Sequence, residues 1–78
     1  MKIAIYGLGC DKYFLLLDMV KKAIKQLGIS AEVEEIYHDK YFVRDGIVYF
    51  PSLSINGKVV LKGNVPSMDK LKSILTRY

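Results

Sequence analysis

The chain opens on Ile3-Ala4-Ile5-Tyr6, an apolar run extended by Leu8 and ended at Gly7-Leu8-Gly9, and then switches periodicity. From about Asp11 to Leu27, the residues Tyr13, Leu16, Leu17, Val20, Ile24 and Leu27 recur at three- and four-residue spacing, the pattern of one helix face. An apolar run without alternation suits a strand buried on both sides, as in a parallel pair. Gly28 provides a left-handed C-cap for the helix. The segment Ala31-Glu32-Val33-Glu34-Glu35-Ile36-Tyr37 then reads as a second strand, its charged side broken by Glu35. A strand, a crossover helix of this length and another strand make a right-handed βαβ unit.

The end of the chain is equally legible. Ser52-Leu53-Ser54-Ile55 and Lys58-Val59-Val60-Leu61 flank Asn56-Gly57, the pair suited to a two-residue type I′ turn. After Gly63 and Pro66, Ser67 is an N-cap candidate and Asp69 favours the helix start. Met68, Leu71, Ile74 and Leu75 give that helix its apolar face. The middle admits two readings. Tyr41-Phe42-Val43-Arg44 and Ile47-Val48-Tyr49-Phe50 around Asp45-Gly46 make a hairpin by local rules, whereas a short helix over Asp39–Arg44 could end at Gly46. The element order predicts an α/β domain with a four-stranded mixed sheet and helices on its faces.

At 78 residues the chain is expected to be a single domain. It has one cysteine, so no internal disulfide can staple it, and no apolar run approaches the ~20 residues of a membrane span. The N-terminus is too short in apolar residues for a secretory signal and has no small-residue cleavage site, so a soluble, cytoplasmic protein is expected. Twelve Lys and Arg against eight Asp and Glu give a net charge of +4. Lys21, Lys22 and Lys25 share one helix, but Asp18, Glu32, Glu34 and Glu35 dilute the field. A solvated basic face is therefore favoured over a nucleic-acid site. Gly7-x-Gly9 lacks the third glycine of a dinucleotide fingerprint. His38, the one histidine, and Cys10 are too few ligands for an intrachain zinc site. Neither a metal nor another cofactor is implied.

Cys10 follows the first strand and immediately precedes the first helix. A thiol there faces unpaired backbone N–H groups and the positive end of the helix dipole, which favour thiolate. Lys12 adds to that field and Asp11 opposes it. Free cysteine is also among the most buried residue types, so position alone leaves a reactive and a structural Cys10 open.

Gly7-Leu8-Gly9-Cys10, Leu27-Gly28-Ile29, Gly46-Ile47-Val48-Tyr49-Phe50-Pro51, Ile55-Asn56-Gly57-Lys58-Val59-Val60 and Gly63-Asn64-Val65-Pro66-Ser67 follow one another along the whole chain. In this order and spacing they resemble the thioredoxin superfamily, and more narrowly the small archaeal and bacterial thioredoxin/glutaredoxin-like proteins called redox-active disulfide proteins. The resemblance implies a thioredoxin-like fold, β1-α1-β2-α2-β3-β4-α3, and so favours the helix over Asp39–Arg44. It implies that Pro51 is cis and lies against Cys10, and that the backbone beside it, with Phe50, pairs with a bound peptide or thiol substrate. Partners would then be a protein or low-molecular-weight thiol or disulfide.

The motif departs from that family at its second cysteine, reading Cys10-Asp11-Lys12-Tyr13. Dithiol chemistry is excluded, and one-thiol exchange through Cys10 remains. Tyr13 could hold its hydroxyl near the sulfur, contributing to the substrate site, or pack its ring on the buried helix face. An iron–sulfur cluster shared through Cys10 and glutathione is the analogy of one-thiol glutaredoxins, but nothing here specifies a glutathione groove. Phe14, Leu15, Leu17 and Met19 follow the motif, and Tyr41, Phe42, Tyr49 and Phe50 surround Pro51. The rival expectation is therefore a redox-inactive binding or self-associating protein, a homodimer for instance, using an apolar surface around Tyr13, Phe14 and Phe50.

Overall fold

The computed structural model describes residues 1–37, 39–47 and 49–78, with backbone alone at 39–41. The elements are β1 (Lys2–Tyr6), α1 (Asp11–Leu27), β2 (Glu32–Ile36), α2 (Asp39–Asp45), β3 (Ser52–Ile55), β4 (Lys58–Lys62) and α3 (Met68–Arg77). They build a thioredoxin-like α/β fold around one four-stranded sheet ordered β2-β1-β3-β4. Among the described residues, no helix is long and apolar enough to cross a membrane.

β1 lies parallel to β2, with Ile5 opposite Glu35 and Tyr6 opposite Ile36. It lies antiparallel to β3, with Ile5 opposite Leu53 and Tyr6 opposite Ser52. A strand with neighbours on both sides and helices on both faces must be apolar throughout, which is why Ile3 to Tyr6 do not alternate. Ile3 and Ile5 join Leu16, Val20, Leu53, Leu71 and Leu75 in the larger core, under α1 and α3. Ala4 and Tyr6 turn the other way and meet Ile36, Phe42 and Ile47 in a smaller core beside α2. Leu8 belongs to neither; it lies beyond β1 and is exposed.

The segment left open by local rules is helical. Gly46 takes φ +69°, as either reading requires, but uses it to close α2. Its N–H donates to the Val43 carbonyl at 3.3 Å, and Ile47 N–H donates to the Phe42 carbonyl at 2.8 Å. Phe42 and Ile47 thereby reach Ala4, Tyr6 and Ile36, burial that a hairpin facing solvent would forgo. The helix runs one residue past the expected Arg44, to Asp45.

Asp45 also locks α2 to the sheet. Tyr6 Oη donates to Asp45 Oδ2 at 2.7 Å, and Arg44 donates to both carboxylate oxygens at 2.7 and 2.8 Å. Arg44 first, then Tyr6, hold the Asp45 carboxyl down to about 2, from an ordinary 3.8. Burial raises the Tyr6 phenol, its contact with Ser54 offsets part of the rise, and Asp45 adds to it. A depressed carboxyl stabilises the folded state above its unfolded value, and that stability is lost as pH falls toward the folded value. Asp45 is partly exposed, so its contribution is discounted to about 1 kcal/mol. Thermal unfolding followed from pH 5 to pH 2 is expected to show a falling midpoint, part of which Asp45→Asn removes. An unchanged acid limb in that variant would remove Asp45 as its cause.

Candidate functional site

Because Tyr6 pairs with both Ile36 and Ser52, three loops leave the sheet at one end. These are Gly7 to Cys10, the chain after Ile36, and Tyr49 to Pro51. The paired strands thus set the Cys10 and Pro51 loops side by side, although no hydrogen bond or ring contact joins them among the described residues.

Cys10 is the N-cap of α1, with φ −80° and ψ 170°. Its carbonyl accepts from Phe14 N–H at 3.2 Å, starting the helix ladder. Its side chain makes no capping hydrogen bond, and the residue is exposed with a free thiol. Asp11 stands in the first turn of the same helix.

Tyr13 is 1% exposed and is one of the largest side chains of the main core. Its ring lies against Gly7 and edge-on to Phe14, with centroids 5.3 Å apart. The hydroxyl is buried without a hydrogen-bond partner among the described residues. Burial chiefly, then the charges of Glu35 and Tyr37, push it up to about 12; Glu35 comes near without reaching hydrogen-bond geometry. The groups acting on this phenol belong to β2 and the residue after it, and Cys10 is not among them. The Tyr13 ring is packed in the main core.

The Phe50–Pro51 peptide bond is cis, and Pro51 is fully buried. Its carbonyl accepts from Gly63 N–H at 2.8 Å, and Ser52 Oγ donates to the Tyr49 carbonyl, so this loop is held from both sides. Phe50 is partly buried: its ring meets Phe42 at 4.8 Å and packs against the smaller core. Of the three residues expected to form an apolar surface, Phe14 is exposed, Phe50 is partly buried and Tyr13 is packed in the main core. Among the described residues, those exposed and apolar at this end are Leu8, Phe14, Leu15, Tyr37 and Tyr49. Leu17 is buried and Met19 packs against the main core. His38, Val48 and the side chain of Tyr41 lie outside the described residues.

A groove of about 430 Å³ opens between the start of α1 and the end of β2, lined by Leu8, Gly9, Tyr13, Phe14, Glu35 and Tyr37. Sequence reasoning did not assemble it. Glu35 was visible as the charge that breaks the β2 alternation, but the register that faces it toward α1 is a property of the sheet.

These features together define a thioredoxin-like domain with one exposed thiol at the start of its first helix. The chain belongs to the thioredoxin domain family, whose profile matches residues 1–76. It is 37% identical over 76 residues to a thioredoxin of Methanothermobacter thermautotrophicus, covering 97% of this chain and 99% of the relative. It is 32% identical over 76 residues to a thioredoxin of Methanocaldococcus jannaschii, covering 97% of this chain and 87% of that relative.

Proposed function

We propose that this protein takes part in thiol–disulfide exchange in the cytoplasm through Cys10 alone. The observation that carries the reading is the exposed, uncapped Cys10 thiol at the start of α1, at the sheet end that also bears the Pro51 loop. The Cys10 thiolate attacks one sulfur of a partner disulfide, forming a mixed disulfide and releasing the other sulfur as thiolate. Tyr13 supplies no second thiol, so release requires an external thiolate. That thiolate attacks the partner's sulfur in the mixed disulfide, leaving with a new disulfide and returning the Cys10 thiolate. The family supports a redox role. The redox-inactive alternative is less favoured because Tyr13, one of its three surface residues, is buried in the main core.

Glutathione disulfide provides the test. The folded protein is expected to gain one glutathione, read by mass, at least about tenfold faster than the same chain unfolded in urea at equal pH, because a helix start promotes thiol reactivity and the unfolded chain has none. Reduced glutathione should remove the adduct, and Cys10→Ser should gain none. Equal folded and unfolded rates would mean that the site does nothing for the sulfur, and the reading would fall.

A further inference from the structure

We propose that the groove between the start of α1 and the end of β2 is a subsite for an arginine side chain of a polypeptide partner. Its guanidinium would lie against the rings of Phe14 and Tyr37, with Glu35 as counter-charge and the Tyr13 hydroxyl oxygen as a hydrogen-bond acceptor. This goes beyond disulfide exchange and stands whether or not Cys10 turns over.

Three features converge there. The first is the Tyr13 hydroxyl, on a side chain 1% exposed and without a hydrogen-bond partner among the described residues. A buried polar group left unsatisfied costs stability, so its place at a groove needs a reason. The groups that act on it, Glu35 and Tyr37, are exposed side chains of the groove wall.

The second feature is Glu35. Its register opposite Ile5 puts it on the α1 side of the sheet with Ile3, Ile5 and Val33, a position that apolar residues otherwise hold. It makes no ion pair among the described residues, in a chain with twelve Lys and Arg and eight Asp and Glu. By contrast, Glu34 on the opposite side pairs with Lys2 at 3.8 Å.

The third is the wall itself: Phe14 is 56% and Tyr37 67% exposed, large rings left in solvent around a carboxylate. Aromatic faces attract cations, and a planar guanidinium both stacks on rings and forks its donors toward two acceptors. The phenol oxygen can accept one such donor while the other N–H groups of the fork face the Glu35 carboxylate. A groove of about 430 Å³ has room for one such side chain.

The test uses isotopically labelled Cys10→Ser protein, which cannot react, titrated with acetyl-Ala-Arg-Ala-amide and followed by amide NMR. The citrulline peptide, of the same shape without the charge, is the control. The arginine peptide is expected to move Gly9, Phe14, Glu35 and Tyr37, and to bind at least about fivefold tighter than the citrulline peptide. Glu35→Gln should erase that preference without lowering the unfolding midpoint. Tyr13→Phe should weaken arginine binding while leaving stability equal or higher, because it deletes an unsatisfied hydroxyl; a purely structural Tyr13 would leave binding unchanged. Equal binding of the two peptides, shifts confined to other residues, or no shifts at tens of millimolar peptide would each overturn the proposal. Because Cys10 is absent, none of these results bears on the exchange reaction.

Discussion

Gly7→Ala is expected to destabilise the protein by about 2–3 kcal/mol, the upper part of the range for overpacking a filled core. For a domain of this size that lowers the unfolding midpoint by about 10 °C or more. A Cβ at Gly7 would stand 2.2 Å from Cδ2 and 2.8 Å from Cγ of Tyr13, distances at which something must move. Neither side has room. The Gly7 N–H is held to the Ile36 carbonyl at 3.1 Å, and the Tyr13 ring is enclosed in the core with Phe14 edge-on to it. The glycine is needed for space rather than for backbone freedom. A double-mutant cycle with Tyr13→Leu checks the cause: once the ring is gone, Gly7→Ala should cost far less. Costs that add within about 0.5 kcal/mol would show that the clash is not responsible.

The second large effect concerns the missing cysteine. Tyr13→Cys restores the Cys-x-x-Cys spacing, yet it removes a fully buried aromatic ring. Deleting such a ring costs about 3–5 kcal/mol, less whatever the sulfur and local collapse recover. The reduced variant is therefore expected to unfold at a much lower temperature than the natural protein, while gaining an internal disulfide that dithiothreitol reverses. Thiol counting before and after mild oxidation reads the chemistry, falling from two thiols to none. Thermal unfolding of the reduced form reads the packing. A variant as stable as the parent would mean that the ring contributes nothing to the core. The expected result means that position 13 is structural, with Gly7 accommodating the ring, and that a second thiol there forms an internal disulfide at the expense of the fold.

Features decided by neighbouring residues were legible in the chain. Gly28 closes α1 with its N–H on the Lys25 carbonyl and that of Ile29 on the Ile24 carbonyl. Ser67 caps α3 by accepting from Lys70 N–H at 3.2 Å, and Asn56-Gly57 turns with both residues at positive φ. The stretch around Asp45-Gly46 resisted local reading because a left-handed glycine serves a hairpin turn and a helix end alike. The burial of Phe42 and Ile47 decided it, and that depends on strands far away in sequence. The site divides the same way. Cys10 at the start of α1 follows from the strand-to-helix switch. The Gly7–Tyr13 contact and the meeting of Glu35 with Tyr13 exist only once β1, α1 and β2 are assembled.

The first strand of the chain is also the middle of the sheet, and this shapes how the protein can be made. Lys2 and Asn56 exchange two hydrogen bonds, at 2.8 and 2.9 Å, across 54 residues. A growing polypeptide that has released only β1, α1 and β2 holds its most apolar strand with one flank unpaired. Such a flank invites association with other chains. Closure waits until the β3–β4 hairpin has emerged, and contacts this distant in sequence slow folding. The pairing that completes the sheet thus comes from the second half of the chain, far in sequence from Cys10.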